Sequence, residues 1–464
     1  MNRMSKDQII KAPKGFEDIL PANTWKWQAI EQFARVTATL YHFEEIRPPL
    51  VEFHELFHRG VGKTTDIVQK ETFNIVTRNE EKSQLTLRPE QTAGVVRAMI
   101  ENGLLNDQGA RAKVFYIGPN FRYENPQKGR LRQHHQFGIE AFGIAEPEQD
   151  VECILLQLDF YKRCGVRDLS LRVNSLGDAE SKQRYRETLV KFLSPKMSQL
   201  SEESQRRMQT NPLRILDSKD PRDVEAIQGA PSSSDSLSDS SRAHFAGVAS
   251  LLQQAGVKFM LDGTLVRGFD YYTGTIWEVT AGGLGAQNAL GGGGRYDNLV
   301  EQLGGRATPG VGFGSGLERL LIALESQGVE LRRPQAAPLV WLVSQNADAR
   351  AANFLLMNEL RAAGIEADMD LAGRAMKAQF TLADRVKADY ALIVGEAELK
   401  DQTVQIKDLI AREQVTVPRA DALDRLRRLL LGLVNIKVMS PAERAAALKG
   451  NRPATGSAGS KEAT

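Results

Sequence analysis

The feature that most constrains the fold is an alternation of helical and strand-like sequence patterns over roughly the first 175 residues. Helical patterns such as TWKWQAIEQFARVTATLYHF alternate with short runs rich in β-branched and aromatic residues, bounded by Gly, Pro or Asn. Two of these runs, KVFYIGPNFRY and HQFGIEAFG, lie on either side of a polar turn. Such runs are typical of β-strands, so the pattern predicts a domain in which helices accompany a sheet.

The second of these strands carries one acid, Glu140, in an otherwise apolar segment that we interpret as buried. The turn before it is cationic, with Arg122, Lys128, Arg130 and Arg132 around a Pro-Gln-Lys-Gly sequence. The two features together raise the question of what a group of cations and a lone carboxylate bind.

Further changes in composition and sequence pattern suggest domain boundaries. Residues 178–253 contain long charged helical stretches and then the Ser-rich GAPSSSDSLSDSS, which predict a mostly helical insertion with a flexible hinge. The segment RRPQAAP, residues 332–338, is typical of a linker and closes a core of residues 1–331. Residues 338–437 follow the order βαβαββ, which predicts a separate α/β domain. Residues 438–464 are small and polar and predict a disordered tail.

Composition excludes several classes of protein. With 464 residues, 42% hydrophobic and 25% charged, the chain is long enough for two or three folded domains. Its net charge of +2 means that a nucleic-acid partner would be met by local basic patches. Its two cysteines, Cys153 and Cys164, form no CxxC pair, which excludes a zinc knuckle and a disulfide scaffold and fits a reducing cytosol. Because the sequence has neither an apolar N-terminal segment nor a run of about 18 apolar residues, we expect a cytoplasmic protein with no membrane span.

Three glycine-rich segments are candidates for phosphate binding. GVGKTT, residues 60–65, resembles the end of a P-loop, but that pattern requires glycine where the chain has Phe57. LGGGGRYDNLV, residues 290–300, is weak alone because glycine runs often form plain loops. In GVGFGSGLERLLIAL, residues 310–324, a Gly-dense strand leads into an amphipathic helix with Arg319 in its first turns, an arrangement suited to phosphate oxygens. On spacing alone, a nucleotide site and a plain loop both stay open.

Glu90 and Thr92, in LTLRPEQTAGVVRAM, lie where a strand turns into a helix. They are suited either to capping that helix or to binding an ammonium group, and both interpretations stay open.

LVRGFDYYTGTIWEV presents Arg267 and Asp270 beside the adjacent Tyr271 and Tyr272. Neighbouring residues of a strand face opposite ways, so we expect at most one of the two tyrosines to point into a pocket while the other packs.

Taken in order, these segments resemble the catalytic core of class II histidyl-tRNA synthetases. The array is TLRPE-x-T, FR-x-E…QKGR-x-RQ-x-HQ-x-G-x-E, RG-x-DYYTGT-x-x-E, GGGGRYD and G-x-G-x-G-x-ER. RG-x-DYYTGT and GGGGRYD are peculiar to histidyl enzymes and close relatives, whereas FR-x-E and GLER belong to class II synthetases generally. APKGFEDILP, NPLRILD and ADYALIVGEAEL are also similar to that family, so the resemblance covers nearly the whole chain.

The resemblance implies an α+β fold, with a class II antiparallel sheet of six to seven strands, flanking helices and a helical insertion. It also implies a C-terminal α/β anticodon-binding domain and a homodimer formed through the region around residues 24–52. The implied reaction has two steps. The carboxylate of L-histidine attacks the α-phosphorus of ATP, usually with Mg²⁺, to give histidyl-adenylate, and tRNA(His) then takes the histidyl group. Such chemistry needs mainly positioning and cationic clamps on the phosphates.

The resemblance assigns nine residues to histidine. In this set Glu90 and Thr92 bind the α-ammonium group, Glu140 accepts an imidazole N–H, and Tyr272 holds the other side of the ring. A buried acid beside an imidazole discriminates between substrates, because one that lacks the ring nitrogen leaves the acid unpaired. The full set is Glu90, Gln91, Thr92, Arg122, Gln136, Glu140, Arg267, Tyr271 and Tyr272.

The resemblance assigns catalysis to Arg122 and Arg267, which neutralise charge on the histidine carboxylate and the α-phosphate. ATP is assigned to Arg122, to Glu124 on the adenine side, to Arg130, and to Arg319 at the distal phosphates. The acceptor end of the tRNA is assigned to the loop that contains Gln127 and Arg132. No residue is assigned to a metal ion.

Tyr123, Asn125 and Gln91 depart from the residues common in the bacterial family, and Asn125 leaves the RNA contacts of its loop open.

A paralogue of this core serves as a non-catalytic regulatory subunit of the ATP phosphoribosyltransferase in histidine biosynthesis. It typically lacks the C-terminal domain and has eroded motifs, whereas this chain has both. A general RNA- or nucleotide-binding module is the other alternative, and it leaves Glu90, Glu140 and Arg267 in their family motifs unexplained.

Overall fold

The computed structural model describes six stretches of the chain, residues 9–62, 65–76, 84–107, 109–282, 289–331 and 339–434. The chain divides into two compact units, Met1–Arg333 and Pro334–Thr464. The predicted linker at 332–338 and the predicted tail at 438–464 lie outside the described residues.

The first unit mixes strands and helices along its whole length. Its strands are β1 Glu44–Glu45, β2 Val51–Phe53, β3 Phe73–Ile75, β4 Leu85–Leu87, β5 Ala112–Phe121, β6 Gln133–Phe142, β7 Leu169–Ser175, β8 Met260–Leu261, β9 Thr273–Ala281, β10 Ala289–Arg295 and β11 Gly310–Gly316. Its α-helices are α1 Pro21–Leu40, α2 His54–Gly60, α3 Asp66–Lys70, α4 Thr92–Glu101, α5 Pro147–Cys164, α6 Ala179–Leu193, α7 Glu202–Thr210, α8 Pro221–Ala226, α9 Asp239–Gln254, α10 Leu299–Gln302 and α11 Leu317–Ser326.

An eight-stranded sheet organises this unit, in the order β1-β5-β6-β11-β10-β9-β7-β8. The six inner strands pair antiparallel throughout, which confirms the predicted antiparallel sheet. The two outermost strands have two residues each and pair parallel, so the sheet exceeds the expected six to seven strands only at its edges. A separate small sheet has the order β2-β4-β3.

The alternation of side chains along β6 separates a core face from a site face. Phe137 and Ile139 pack into the main core, where the Phe137 ring lies 4.8 Å from that of Phe160 in α5. Helices α1, α9 and α11 contribute to the same core. Glu140 points to the opposite face, which carries a second apolar cluster with α2 and α4. The strand period of two therefore places Glu140 away from the main core.

A buried ion pair holds the end of β10. Arg295 is 2% exposed and donates to the carboxylate of Asp150 in α5, and its Nη1 lies 3.1 Å from Asp297. Asp150 also lies 3.4 Å from the imidazole Nε2 of His244 in α9. The arginine of the GGGGRYD segment is thus a structural residue that joins β10 to two helices.

The insertion contains helices α6 to α9, and hydrogen bonds hold the Ser-rich part for which the sequence predicts a flexible hinge. Ser233 is buried and donates its hydroxyl to the side chain of Asn174 at 2.8 Å. At the start of α6, Asp178 accepts hydrogen bonds from the Ser238 hydroxyl at 2.5 Å and the Ser241 hydroxyl at 3.2 Å. These bonds hold the pKa of Asp178 at about 2. The serines thus act as caps and side-chain donors that join the Ser-rich part to Asn174 and to Asp178 at the start of the insertion.

The second unit contains a five-stranded sheet in the order β13-β12-β14-β15-β16, parallel among the first three strands and antiparallel in the others. Val340 and Leu342 of its first strand face one apolar cluster, and Trp341 and Val343 face another. Both faces of the sheet are therefore covered, which confirms the predicted α/β domain. The strands are β12 Val340–Ser344, β13 Ala367–Met369, β14 Tyr390–Val394, β15 Thr403–Asp408 and β16 Gln414–Pro418. The helices are α12 Ala347–Ala362, α13 Met376–Arg385, α14 Glu396–Lys400 and α15 Ala422–Val434. Among the described residues of the chain, no helix is both long and apolar enough to cross a membrane.

Candidate active site

Glu140 is the polar centre of the site face, and its side chain is 1% exposed. Its Oε1 accepts hydrogen bonds from the Thr92 hydroxyl at 2.7 Å and the Tyr116 hydroxyl at 3.2 Å, and its Oε2 accepts one from Tyr296. Burial raises the pKa of Glu140 to about 8, although the hydroxyls of Tyr296 and Thr92 act to lower it. A side chain at Gly312 of β11 would collide with this carboxyl group, which explains one glycine of the Gly-dense strand.

Glu90 lies between β4 and α4 and is also buried. Its carboxylate accepts the backbone N–H groups of Thr92 at 2.7 Å and Ala93 at 2.9 Å, so the described contacts are those of a helix cap. Burial raises the pKa of Glu90, while these amides and the charge of Arg122 act in the opposite direction. Because Thr92 gives its N–H to Glu90 and its hydroxyl to Glu140, the start of α4 connects the two buried acids.

Tyr271 and Tyr272 do not face opposite ways, so the expectation for them was wrong. Both precede β9, and both are buried, with ring centres 4.7 Å apart. Burial raises the pKa of both phenols, and the charges of Glu90 and Glu140 raise both further. The turn, unlike a strand, directs both rings towards the two acids.

Arg267 lies beside β10, the strand formed by the glycine run that sequence alone left open as a loop. Gly292 pairs with β9 and β11 in the middle of the sheet, and a side chain there would collide with the Arg267 guanidinium. Nη1 of Arg267 lies 3.3 Å from Oε2 of Glu278. Its Nε is buried and has no hydrogen-bond partner among the described residues, so this arginine retains a donor for a ligand.

Arg122 joins three segments of the site. It follows β5, its Nε donates to the carbonyl of Pro89 at 2.9 Å, and its guanidinium carbon lies 5.7 Å from the ring centre of Phe269. These contacts place the guanidinium between the residues that precede α4 and those that precede the tyrosine turn.

The cationic loop after Arg122 is closed by its own contacts. Arg130 pairs with the carboxylate of Glu124, and the backbones of Gln127 and Arg130 bond to each other at 3.0 and 2.8 Å. Arg132 donates to the Glu124 carbonyl at 3.1 Å and lies 4.0 Å from the ring centre of Tyr123. Gln127 is exposed at the tip of the loop. The unusual Tyr123 therefore has a clear role, as a platform for Arg132.

Arg319 lies in the first turn of α11 and donates to the carbonyls of Gly129 at 3.1 Å and Ala289 at 2.9 Å. Burial lowers the pKa of Arg319, and the charges of Arg130 and Arg122 act in the same direction. The arginines that the resemblance assigns to ATP thus lie within electrostatic reach of one another, a concentration of positive charge suited to phosphates.

The two glutamines of the predicted set differ in their surroundings. Gln136 of β6 accepts a hydrogen bond from Asn120 at 2.7 Å and lies beside Gly314. Gln91 is 1% exposed and donates to the carbonyl of Gly118 at 3.3 Å. Gln91 therefore bonds to the backbone of β5, whereas the other predicted histidine ligands engage one another or line the site face.

Sequence reasoning missed Tyr116 and Tyr296, which complete the environment of Glu140. A signal for Tyr116 existed, since in the register of β5 and β6 it lies two residues from Val114, the partner of Glu140, and hence on the same face. Lys182 and Asn211 of the insertion were missed too, and both bond to the tyrosine turn.

Comparison with known proteins places this geometry in a family. A family model described as histidyl-tRNA synthetase matches residues 15–320, and one described as anticodon binding domain matches residues 339–429. The chain is 46% identical to histidine–tRNA ligase of Moorella thermoacetica over 91% of its length and 99% of that protein. It is also 46% identical to the enzyme of that name from Streptococcus sanguinis, over 88% of this chain and 95% of the relative. Among solved structures, apo histidyl-tRNA synthetase from S. aureus is similar with a TM-score of 0.73 and 34% identity, covering 90% of this chain and 99% of that one.

Proposed function

The chain belongs to the histidyl-tRNA synthetase family, and on that basis we propose how its residues attach L-histidine to tRNA(His) with ATP as substrate. The observation that carries the assignment is the environment of Glu140, a buried acid held by three hydroxyl groups beside two tyrosine rings. The α/β unit supplies the anticodon-binding domain.

We assign the imidazole to Oε2 of Glu140. Each carboxylate oxygen has two lone pairs. Oε1 already accepts from Thr92 and Tyr116, whereas Oε2 accepts only from Tyr296 among the described residues. One N–H of the ring would donate to the remaining lone pair of Oε2, and Tyr272 would hold the other side of the ring. Tyr271 packs on Tyr272 and would hold the Tyr272 ring in the orientation that contacts the imidazole.

The α-amino and α-carboxylate groups of histidine would lie between Glu90 and Arg122. The charge of Arg122 already influences Glu90, so a zwitterion with its ammonium near the acid and its carboxylate near the arginine would match the field of the site. Thr92 and Gln136 offer side-chain oxygens beside these charges, and Gln91 would act through the backbone of β5.

The adenylation step would depend on Arg267 and Arg122. As the histidine carboxylate attacks the α-phosphorus and pyrophosphate leaves, negative charge builds on the phosphate oxygens. The buried Nε of Arg267, which lacks a partner among the described residues, is a preorganised donor for that charge. Since Gly292 leaves room for this guanidinium over β10, the donor needs no rearrangement of the sheet.

ATP would be held by the remaining cations, with Arg319 at the distal phosphates and Arg130 near the same nucleotide. Glu124, now paired with Arg130, would turn to the adenine side. Mg²⁺ neutralises phosphate charge in such reactions. The described residues contain no group of three or more His, Cys, Asp or Glu that could hold a metal ion, so among these residues an ion would find at most two such ligands together. We therefore propose that Mg²⁺ enters with ATP, its ligands coming mainly from the phosphates.

The acceptor end of the tRNA would meet the loop that carries Gln127 and Arg132. Gln127 is exposed, and Arg132 is held against Tyr123, so the loop presents one free amide and one positioned cation. Bases of the anticodon loop are single-stranded and accessible to an α/β domain such as the second unit.

We further propose a homodimer formed through the region around residues 24–52, in the cytoplasm. Large apolar side chains are exposed along α1 and the short β2 that follows, and such a patch favours a protein partner. They are Val36, Leu40, Leu50, Val51 and Phe53. Both cysteines are buried and unpaired, as in a reducing compartment.

Histidine-dependent exchange of pyrophosphate into ATP tests the activity. We expect exchange with histidine and none without it, and tRNA charging only with tRNA(His). A folded preparation that shows no exchange above background would favour the regulatory, non-catalytic alternative. The buried Nε of Arg267 and the open lone pair on Oε2 of Glu140 favour the ligase, because they suit the binding and activation of histidine.

A further inference from the structure

Two residues of the helical insertion hold the turn that carries the paired tyrosines. The ammonium group of Lys182 in α6 donates to the backbone carbonyls of Tyr272 at 2.7 Å and Asp270 at 3.2 Å. The side-chain amide of Asn211, after α7, donates to Oδ1 of Asp270 at 2.8 Å. Three hydrogen bonds thus join the insertion to two residues of this turn, Asp270 and Tyr272.

The topology explains why Lys182 reaches this turn. Strand β7 pairs antiparallel with β9 up to Ser175 and Thr275, and the chain then passes through Gly177 into α6. The amide of Gly274 donates to the carbonyl of Gly177 at 2.9 Å, which fixes the start of the insertion against the start of β9. Lys182 follows one turn into α6, so its ammonium group arrives beside the residues that precede β9.

Lys182 is an unusual anchor because it bonds to carbonyls. Burial lowers the pKa of Lys182, and the charge of Asp270 only partly opposes this effect. A buried ammonium group is retained where its donors are needed, since it costs free energy otherwise. Here two of its three donors satisfy the backbone carbonyls that orient the tyrosine turn.

The turn has further neighbours at the site. The amide of Asp270 donates to the carbonyl of Val61 at 3.2 Å, and a side chain at Gly62 would collide with Asp270. The ring of Phe269, the residue before Asp270, lies under the Arg122 guanidinium. A shift of the turn would therefore move both Tyr272 and the platform of Arg122.

We propose that Lys182 and Asn211 are positioning residues for histidine, and that the insertion is thereby a working part of the amino-acid site. This inference rests on the proposed function, in which Tyr272 holds the imidazole. The two residues touch neither substrate; they act by fixing the turn on which Tyr272 is carried.

Kinetics of pyrophosphate exchange with the full-length protein test this inference. Lys182→Met keeps the length of the side chain and removes its donors, and Lys191→Met is the matched control, since Lys191 is exposed on the same helix. We expect Lys182→Met to raise the KM for histidine about tenfold or more, because small misplacements of binding groups are costly. The KM for ATP should rise less than the KM for histidine, because Arg130 and Arg319 hold ATP apart from this turn, although the turn also supports Arg122. Lys182→Arg, which restores donors, should recover most of the histidine affinity, and Lys191→Met should behave as the wild type.

Asn211→Ala gives a second, independent variant, should Lys182→Met fail to fold. We expect it to raise the KM for histidine by about three- to tenfold, since it removes one of the three hydrogen bonds. An unchanged histidine KM in both variants would overturn the inference. So would parallel rises in both KM values with a lowered melting temperature and no recovery by Lys182→Arg, since that pattern describes a purely structural lysine. Absence of exchange in the wild-type protein is a separate outcome, which counts against the proposed function itself.

Discussion

Replacing Glu140 with glutamine should separate the affinity of the site for histidine from the stability of the empty protein. Glutamine keeps the volume of the side chain but, unlike Glu140, it has no proton to release when histidine binds, so it cannot supply the negative charge that an imidazole N–H prefers. We therefore expect Glu140→Gln to weaken histidine binding by about 1–3 kcal/mol, or roughly 5- to 150-fold in Kd, with ATP binding almost unchanged.

The effect on stability should have the opposite sign at high pH. The pKa of Glu140 is raised from 4.5 to about 8 in the folded protein, so the folded state holds a proton that the unfolded state releases. The contribution of this group to stability is therefore complete below pH 4.5 and is lost as pH rises to about 8. The difference between these pKa values corresponds to roughly 5 kcal/mol. Glutamine does not ionise, and its amide can bond to the hydroxyls of Thr92, Tyr116 and Tyr296, so the variant should escape this loss.

Melting temperatures from pH 5 to 9, with and without histidine, measure both effects. The variant should gain on the order of 10 °C relative to the wild type as the pH rises, from roughly 5 kcal/mol at about 2 °C per kcal/mol. Saturating histidine should raise the melting temperature of the wild type much more than that of the variant. Glu325→Gln, an exposed acid on α11, is the control and should alter neither quantity. Equal losses of ATP and histidine affinity would make Glu140 a structural acid, and a pH-independent difference in melting temperature would refute its raised pKa.

Three further predictions concern other parts of the chain. Arg267→Ala should slow single-turnover formation of the adenylate by roughly 10²–10³-fold, with little change in the binding of either substrate, and an unchanged rate would remove Arg267 from the catalytic set. Asp150→Ala should leave Arg295 buried without its main partner and cost about 3–5 kcal/mol in the free energy of unfolding, measured by denaturant; an effect below about 1 kcal/mol would contradict a buried pair. A chain ending at residue 331 should still form histidyl-adenylate but charge tRNA with a raised tRNA KM, provided that sedimentation shows an intact dimer; an unchanged KM would exclude an anticodon-reading role.

The sequence predicted those parts of the site that depend on local pattern. The apolar, strand-like run HQFGIEAFG identified Glu140 as a lone acid in a buried strand, and the change from strand to helix located Glu90 and Thr92. The orientation of the paired tyrosines was misjudged because a strand was assumed at Tyr271 and Tyr272, whereas β9 begins at Thr273. Propensity gives no sign of where a strand begins when glycines and aromatic residues surround it.

The remaining features depend on contacts between distant parts of the chain. Lys182 is 90 residues from Tyr272, and Tyr296 is 156 residues from Glu140, so no local pattern could have paired them. The Ser-rich segment has the composition of a flexible connection. Its serines are ordered because Asn174 and Asp178 lie within hydrogen-bond distance, which composition does not reveal.

The hydrogen bonds of Ser238 and Ser241 to Asp178 bring the two ends of residues 178–241 of the insertion together, which bears on how such a chain can be inherited. A segment whose ends meet can enter or leave a gene without disturbing the fold around it, because the surrounding chain needs only a short join. Asp178 and Ser241 are within hydrogen-bond distance, so the segment between them could be exchanged with only a short join in the surrounding chain. Its bonds to Asp270–Tyr272 act against that freedom. A descendant that exchanged this segment would keep its sheet but would need new contacts to hold the tyrosine turn of the amino-acid site. The segment and the tyrosine turn should therefore be inherited together.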